Sequence, residues 1–351
     1  ARLRRIRDHL HDERLDGLLV SHLPNIRYLT GFTGSSALLL VEPGIATLFT
    51  DFRYEIQARE EVGPSVALAI ISDGLFDDLA LRLSEEPAGR RIGFEPATIT
   101  VRDRQELGTR CGTVVWDAAG APVEELRSVK DHSELDRIDA AVALAEHVLS
   151  EIVGEIRPGR TEIEIAAELE YRLRRAGSGP LPFEPIVAFG ATGALPHYKP
   201  ADRRLGDAST VLIDWGAKLG GYASDLTRTL HRESASAEFR RCYEAVLEAQ
   251  LAAIEAIGPG VAACDVDRAA RAALKKAGID TAFKHGLGHG VGLQIHESPR
   301  MSSASAEVLA AGMIVTVEPG VYFDGDFGIR IEDDVLVTDS GCEVLSRLPK
   351  G

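Results

Sequence analysis

Hydrophobic and polar positions in the first third of the chain divide it into short apolar runs and longer amphipathic stretches. Short apolar runs predict β-strands, and these runs occupy 17–20, 37–41, 46–49, 66–71, 92–94 and 114–116. Apolar residues at helical spacing predict helices, which we place at 2–14, 53–61 and 75–83. This alternation is typical of an α/β layer domain with a mixed sheet.

Two stretches interrupt this pattern. Residues 25–36 (NIRYLTGFTGSS) are rich in glycine, serine and threonine and include aromatic residues, so we expect a connecting loop or, alternatively, the edge of a binding cleft. Ala119-Gly120-Ala121-Pro122 ends the alternation. Because 351 residues exceed one ordinary core, we predict two domains, 1–122 and 123–351.

The second domain contains an internal repeat. A long helix is predicted over 133–156, and Thr161 with Glu164 forms a capping box for a second helix that ends at Gly177. The same order of helices recurs over 237–278. The helix ends at Gly177 and Gly278 are 101 positions apart, so we predict two halves related by a pseudo-two-fold axis.

Each half also contains a predicted β-hairpin that carries two carboxylates. In the first, Asp214 and Asp225 flank Gly216, Gly220 and Gly221. A turn centred between Leu219 and Gly220 would place the two aspartates opposite each other, with their Cβ atoms about 5 Å apart. The second would pair 313–318 with 329–332, which carry Glu318 and Glu332. Carboxylates this close repel unless a proton or cation lies between them, so we predict a metal site.

Three histidines lie in a glycine-rich run of the second half, between its helices and its predicted hairpin. His285, His289 and His296 fall within HGLGHGVGLQIHE, where the glycines disfavour a helix. Ser298-Pro299-Arg300 follows His296-Glu297, so the run lacks the second histidine of a zinc-protease helix. Three of the ten histidines of the chain in one β-like run favour a functional role.

Composition excludes several classes of protein. The chain is 45% hydrophobic and 26% charged with a net charge of −15, which argues against a nucleic-acid partner because duplex binding requires a concentrated basic face. We find no apolar run that would span a bilayer and no signal sequence at the N-terminus, and therefore expect no membrane partner and a cytoplasmic location. The cysteines form no CxxC pair and fit reduced thiols; they are Cys111, Cys242, Cys264 and Cys342.

Four segments of the second domain resemble the signature of the pita-bread metallopeptidases, specifically the Xaa-Pro peptidase branch with aminopeptidase P and prolidase. They are DWGAKLGGYASDLTRT, HGLGHGVGLQIHE, VTVEPGVY and IRIEDDVLVT. The resemblance implies an α+β pita-bread fold for 123–351 behind the α/β N-terminal domain. It also implies two bound metal ions, with Asp225 and Glu332 bridging them, and a ligand set of Asp214, Asp225, His289, Glu318 and Glu332.

The resemblance further implies roles for four other side chains. His197, His285 and His296 match the catalytic and substrate-contacting histidines of the branch, and Arg330 matches an arginine beside the bridging glutamate. We expect His296 to stabilise an oxyanion and Glu318 to carry a proton to the leaving nitrogen. His197 and His285 would line the proline side, and Arg330 would orient Glu332 or its neighbours.

The chemistry of the donor set agrees with such a centre. Four carboxylates and one imidazole suit Mn²⁺, although zinc or cobalt would also fit. Two such ions lower the pKa of a shared water. We therefore predict a metal-dependent Xaa-Pro aminopeptidase that removes one residue from peptides with proline in second position.

The leading alternative is a prolidase confined to dipeptides. Such an enzyme needs a cation for the carboxylate after proline, whereas the segment between Glu318 and Arg330 contains Asp324 and Asp326 and neither Lys nor Arg; Arg300 or an arginine of the first domain would then serve as the clamp. Two other enzymes of this fold fit the chain less well. Methionine aminopeptidase resembles only its second domain, and creatinase works without the metal ligands that this chain contains.

Relatives of the fold that bind chromatin or RNA without catalysis form a different class. They lose metal ligands, whereas this acidic chain keeps all five. The resemblance also implies a homodimer in which the first domain, through residues 25–36, shapes the cleft of the partner.

Overall fold

The chain forms two compact units, Ala1–Arg127 and Ser128–Gly351. A computed structural model describes residues 1–72, 74–206 and 210–350. The division falls near the end of a helix that begins at Pro122, the residue at which the sequence pattern places the boundary. Among the described residues, we find no helix that combines the length and the apolar character needed to cross a bilayer.

The first unit is the expected α/β layer domain. Its strands are β1 (Gly17–Val20), β2 (Leu38–Val41), β3 (Ala46–Asp51), β4 (Ala67–Ile71), β5 (Arg91–Phe94) and β6 (Val115–Ala118). They form one sheet in the order β4-β3-β2-β1-β5-β6. The β1–β2 and β2–β3 pairs are antiparallel and the others are parallel, so the predicted mixed sheet is confirmed.

In the described part of the chain, six α-helices accompany this sheet. They are α1 (Arg2–Asp12), α2 (Leu23–Thr30), α3 (Glu55–Glu61), α4 (Leu75–Ser84), α5 (Val101–Arg110) and α6 (Pro122–Ser128). The sequence pattern predicts α1, α3 and α4 but not the other three. Of these, α5 carries a local signal that the apolar pattern misses, because Thr100 and Asp103 form a capping box at its start.

Helix α2 (Leu23–Thr30) occupies the first half of the segment that we predicted as a loop, so the loop prediction is wrong for residues 25–30, whereas 31–36 contain no helix or strand. The helix ends at Gly31, which adopts a left-handed conformation with φ of 88°. The buried Glu95 carboxylate accepts hydrogen bonds from the Ser21 and His22 N–H groups beside the helix start and from the Asn25 amide. The helix therefore depends on contacts distant in sequence. The role of residues 25–36 in a homodimer stays a prediction.

The second unit contains two matching pairs of helices. They are α7 (His132–Ile152) with α8 (Glu162–Arg175), and α9 (Ala237–Glu255) with α10 (Ala263–Lys276). The two ends of α8 are both 101 positions before the corresponding ends of α10. The predicted helical repeat is therefore present, and Thr161 and Glu164 form the expected capping box.

The strands of the second unit repeat in the same way. The first half contains β7 (Ile186–Phe189), β8 (Thr210–Trp215), β9 (Lys218–Leu219), β10 (Tyr222–Ala223) and β11 (Leu226–His231). The second half contains β12 (Gly288–Gly290), β13 (Glu297–Met301), β14 (Ile314–Val317), β15 (Gly320–Phe323), β16 (Phe327–Arg330), β17 (Asp333–Thr338) and β18 (Gly341–Val344). In each half a long antiparallel pair, β8–β11 or β14–β17, encloses a short hairpin, β9–β10 or β15–β16.

The predicted register of the first hairpin is wrong by two residues. Asp214 lies opposite Thr227 rather than Asp225. The turn lies between Gly220 and Gly221, with φ of 53° and 92°, and glycine adopts this conformation at little cost. Because side chains alternate along a strand, a shift of two residues changes the partner but preserves the face.

The predicted second hairpin also pairs differently. Val317 lies opposite Asp333 in the β14–β17 pair, whereas 327–330 folds back on 320–323. The turn between β15 and β16 contains Gly325 with φ of 73°, which allows this segment to form a hairpin of its own. The pairing of 313–318 with 329–332 is therefore wrong, although Glu318 and Glu332 still flank the inner hairpin.

Candidate metal centre

Acidic residues from the two halves of the repeat converge with one histidine. Asp225, His289 and Glu332 each offer a ligand atom within 4.8 Å of the others. The His289 Nε2 atom lies 3.6 Å from Asp225 Oδ2 and 3.5 Å from Glu318 Oε1. Four of the five predicted metal ligands therefore share one site.

The fifth predicted ligand, Asp214, joins the site through an arginine. Its Oδ2 atom lies 2.5 Å from an Arg330 guanidinium nitrogen. Its Oδ1 atom is buried and has no hydrogen-bond partner in the described part of the chain. A buried carboxylate oxygen without a donor is costly, and a cation beside it would remove that cost.

Burial and mutual repulsion make these acids hard to ionise. Burial raises the pKa of Glu318 to about 8. Burial, followed by the charges of Glu332 and Asp214, raises the pKa of Asp225 well above its ordinary value, and burial with the charge of Glu318 does the same for Glu332. Divalent cations held by several oxygen ligands would stabilise the ionised forms, so the residues present fit a metal centre.

Two glycines allow His289 to reach this site. A Cβ atom at Gly288 would collide with the Thr316 carbonyl, and one at Gly290 would collide with the Ser298 carbonyl. Strand β12 therefore packs between β13 and β14 at a distance that only glycine permits. This close packing explains the glycines that the sequence pattern places around the histidine.

The orientation of His289 favours metal binding. Its Nδ1 atom lies 3.1 Å from the Gly290 carbonyl oxygen, an acceptor that holds the ring proton on Nδ1 and leaves Nε2 directed at the acids. Burial, with the charge of His296, lowers the pKa of His289 to about 4. The imidazole is therefore neutral near pH 7, which is the form that binds metal.

Arg330 contacts three side chains around the acidic cluster. Its side chain is only 4% exposed and donates to Asp214 Oδ2 at 2.5 Å, to the Thr227 hydroxyl at 3.1 Å and to the Tyr322 hydroxyl at 2.9 Å. We expected it to orient Glu332 or its neighbours. Its hydrogen bonds reach Glu332 through Thr227, whose hydroxyl donates to Glu332 Oε2 at 2.6 Å.

Tyr322 and Thr227 are site residues that the sequence analysis misses. The Tyr322 hydroxyl lies 3.0 Å from His285 Nε2 and accepts from Arg330, so it joins a predicted histidine to the arginine. Burial lowers the pKa of His285 to about 4. Tyr322 and Thr227 fall inside the segments that resemble the pita-bread metallopeptidases, but nothing in their spacing distinguishes them from ordinary strand residues.

The two remaining predicted histidines border the site from its exposed side. The His296 ring is exposed and packs edge-on against His289, with the ring centroids 4.3 Å apart. His197 is exposed in the segment that follows β7. Burial raises the pKa of Asp214, and the charges of Arg330, His197 and His296 oppose this rise, so both imidazoles act electrostatically on the site.

The two aspartates after Glu332 are buried rather than solvated. Asp334 Oδ2 accepts a hydrogen bond from the Asp225 N–H at 3.0 Å. Asp333 pairs with the buried Arg228, whose Nη2 atom lies 2.8 Å from Asp333 Oδ1. Both side chains thus support the backbone that presents the acidic cluster.

Comparison with known proteins identifies the family. Residues 136–339 match Metallopeptidase family M24, and residues 2–129 match the Creatinase/Prolidase N-terminal domain. The chain belongs to metallopeptidase family M24. The expected family and the pita-bread fold of the second unit are thus confirmed, and the protein is a hydrolase of peptides whose family implies bound divalent metal ions.

The similarity to known proteins covers essentially the whole chain. The uncharacterized peptidase YqhT of Bacillus subtilis (strain 168) is 34% identical over 356 residues, which cover 99% of this chain and 98% of that protein. The solved Xaa-Pro dipeptidase from Bacillus anthracis is 34% identical, with a TM-score of 0.94. The match covers 100% of this chain and 98% of the dipeptidase chain.

An X-Pro aminopeptidase is similar as well. The solved enzyme from Thermotoga maritima MSB8 is 34% identical, with a TM-score of 0.87. The match covers 96% of this chain and 97% of the aminopeptidase chain. Several further solved structures with similar folds are named prolidases. The comparisons therefore favour the dipeptidase alternative over the aminopeptidase that we predicted first.

Proposed function

We propose that this M24 metallopeptidase is an Xaa-Pro dipeptidase, which hydrolyses the bond before a proline that ends the peptide. The observation that carries the proposal is the convergence of Asp225, His289 and Glu332 with Glu318 and Asp214. The similarity of the entire chain to an Xaa-Pro dipeptidase supports this choice of substrate.

In this proposal the five converging side chains would hold two divalent ions, and Asp225 and Glu332 would serve both, as the family resemblance implies. The oxygen-rich donor set suits Mn²⁺, and zinc or cobalt would also fit. When bound, such ions lower the pKa of water and polarise a peptide carbonyl.

The surrounding residues would position the substrate and move a proton. Glu318 would take a proton from the attacking water and release it to the nitrogen of proline, which has no hydrogen of its own in the peptide bond. One side of the site is lined by a hydrogen-bonded group of side chains, in which the Tyr322 hydroxyl joins His285 to Arg330. His197 and His296 line the exposed side, where His296 would donate to the developing oxyanion.

The Xaa-Pro aminopeptidase is a second candidate, supported by two observations. The aminopeptidase from Thermotoga maritima MSB8 is as identical to this chain as the dipeptidase is. The segment between Glu318 and Arg330 also contains no Lys or Arg that would bind a terminal carboxylate. A dipeptidase would then need another cation as the clamp, and Arg300 is the candidate proposed above.

Substrate length separates the two candidates. The Mn²⁺-loaded protein is incubated with Gly-Pro, with Gly-Pro amide and with a longer peptide that begins Arg-Pro-Pro, and the products are identified by mass spectrometry. A dipeptidase should cleave Gly-Pro and discriminate against its amide, because the amide lacks the terminal charge. Rapid release of arginine from the longer peptide, with Gly-Pro left intact, would establish the aminopeptidase instead.

Metal content tests the centre without relying on activity. We expect about two ions per chain by elemental analysis, as in a dinuclear hydrolase site, and loss of metal in Asp225→Asn. Asp265→Asn is the matched control, because Asp265 is on α10 and pairs with Arg268 at the surface. Equal metal content in both variants would refute the proposed ligand set.

A further inference from the structure

We propose that Glu162 is a positioning residue that fixes the segment carrying His197. The inference rests on the proposed function, in which His197 contacts the substrate. Glu162 is the first residue of α8 and is fully buried. None of the sequence motifs includes it.

The Glu162 carboxylate collects hydrogen bonds from both ends of the segment 189–201. Its Oε1 atom lies 2.9 Å from the Phe189 backbone nitrogen and 2.7 Å from the Thr192 hydroxyl oxygen. Its Oε2 atom accepts from the Tyr198 hydroxyl at 2.6 Å and from the Ala201 N–H at 3.3 Å. One buried carboxylate therefore holds the segment on either side of His197.

This segment contains little regular structure of its own. Its sequence from 190 to 201, GATGALPHYKPA, is dominated by glycine, alanine and proline, and its regular structure is a single short turn of 3₁₀-helix over 190–194. The Glu162 carboxylate accepts four hydrogen bonds from this segment and from Phe189 before it. The carboxylate thus supplies order that the local sequence does not.

Two further contacts connect the segment to strands of the metal centre. The Tyr198 ring packs against Ile186, Ala188 and Leu212, and Leu212 shares a strand face with Asp214 because the two are separated by one residue on β8. On the other side, a Cβ atom at Gly328 would collide with the Gly193 carbonyl. Strand β16, which contains Gly328, also carries Arg330.

The position of His197 is therefore set by its neighbour Tyr198 and, through Tyr198, by Glu162. The His197 ring itself is exposed, so the backbone largely determines where the imidazole lies. Misplacement of a substrate-contacting group by about 1 Å can lower a rate by about 100-fold. Loss of the Glu162 hydrogen bonds should thus impair turnover although Glu162 touches no substrate.

The experiment compares Glu162→Gln and Tyr198→Phe with two matched controls. Glu170→Gln and Tyr171→Phe make the same chemical changes at exposed positions of α8. The kcat and KM for Gly-Pro and for the longer peptide are measured in the wild-type and His197→Ala backgrounds. We expect E162Q to lower kcat by about 10- to 100-fold and Y198F to lower it less, with both controls near wild type.

The double variants separate positioning from general damage. If Glu162 acts through His197, E162Q should change kcat by less than about 2-fold once His197 is alanine, since coupled residues are not additive. An equal loss of kcat in both backgrounds would overturn the proposal. Should E162Q fail to fold, the same comparison with Y198F decides, because Y198F removes one hydroxyl and keeps the ring.

Hydrogen exchange measured by mass spectrometry gives a readout independent of activity. E162Q should speed exchange in peptides covering 186–201, which contain the Phe189 and Ala201 amides, and E170Q should not. Unchanged exchange in this segment would overturn the proposal. A wild-type protein that cleaves no Xaa-Pro bond would instead refute the proposed function, while the exchange data would still decide whether Glu162 fixes the segment.

Discussion

Thr227 and Glu332 are joined by two hydrogen bonds, one between their backbones and one between their side chains. The Glu332 N–H donates to the Thr227 carbonyl at 3.1 Å, and the Thr227 hydroxyl donates to Glu332 Oε2 at 2.6 Å. The residues come from opposite halves of the repeat. This pair therefore connects the halves at the carboxylate proposed to bridge the metal ions.

Replacing Thr227 by valine should weaken metal binding without unfolding the protein. Valine keeps the shape of threonine but removes the hydroxyl that orients Glu332, and changes next to metal ligands typically lower affinity by about 10- to 100-fold. Mn²⁺ affinity measured by calorimetry checks this. Thr47→Val, a buried strand threonine of the first unit, is the control; equal affinities for the two variants would contradict the assigned role.

Arg330→Lys should impair hydrolysis although the charge is retained. The guanidinium contacts Asp214, Thr227 and Tyr322 at once, which an ammonium group on a flexible stem does not reproduce. Each lost hydrogen bond of a charged group costs about 1.5 to 3 kcal/mol, so we expect kcat/KM to fall at least about 10-fold. Arg241→Lys, at an exposed pair with Glu238, should leave kcat/KM unchanged.

The metal-free protein should lose stability as the pH rises from about 6.5 to about 8. Glu318 has an ordinary pKa of 4.5, which burial raises to about 8 in the folded chain, so in this range the folded state holds a proton that the unfolded state has released. Stability then falls with rising pH. The buried His285 and His289, with pKa values lowered to about 4 from 6.5, act in the opposite direction only below this range.

Thermal melts of the EDTA-treated protein at pH 6.5, 7.25 and 8 measure this effect. Glu318→Gln removes one of several buried carboxyl groups whose pKa is raised, the others being Asp225, Glu332 and Asp334, and should make the decline shallower. Saturating Mn²⁺ should abolish or reverse the decline, because metal binds the deprotonated carboxylates. A melting temperature that rises with pH in the metal-free wild type would contradict the raised pKa of Glu318.

Arg228→Met should destabilise the second unit more than the loss of a surface ion pair. Arg228 and Asp333 are 2% and 0% exposed and lie 2.8 Å apart, and Arg228 also donates to the Glu332 carbonyl at 2.6 Å. Breaking a buried pair costs about 3 to 5 kcal/mol. Urea unfolding should show this loss, whereas Glu238→Gln, which breaks an exposed pair with Arg241, should cost less than about 1 kcal/mol.

Some features of the site follow from local sequence alone. The repeated helices are recognisable because the glycines at their ends, Gly177 and Gly278, recur at a fixed spacing, and helix ends depend mainly on nearby residues. The acidic hairpins are recognisable because glycines separate apolar runs that end in carboxylates. These local patterns, with the resemblance to the pita-bread metallopeptidases, led to the five residues that the structure brings together.

Tertiary structure alone decided the remaining features. The turn at Gly220-Gly221 shifted the partner of Asp214 to Thr227, and sequence does not fix a hairpin register when several glycines can form the turn. Tyr322, Thr227 and Glu162 resemble ordinary residues of their strands and helix. Their importance arises from hydrogen bonds to groups far away in the chain, and only the folded backbone brings those groups within reach.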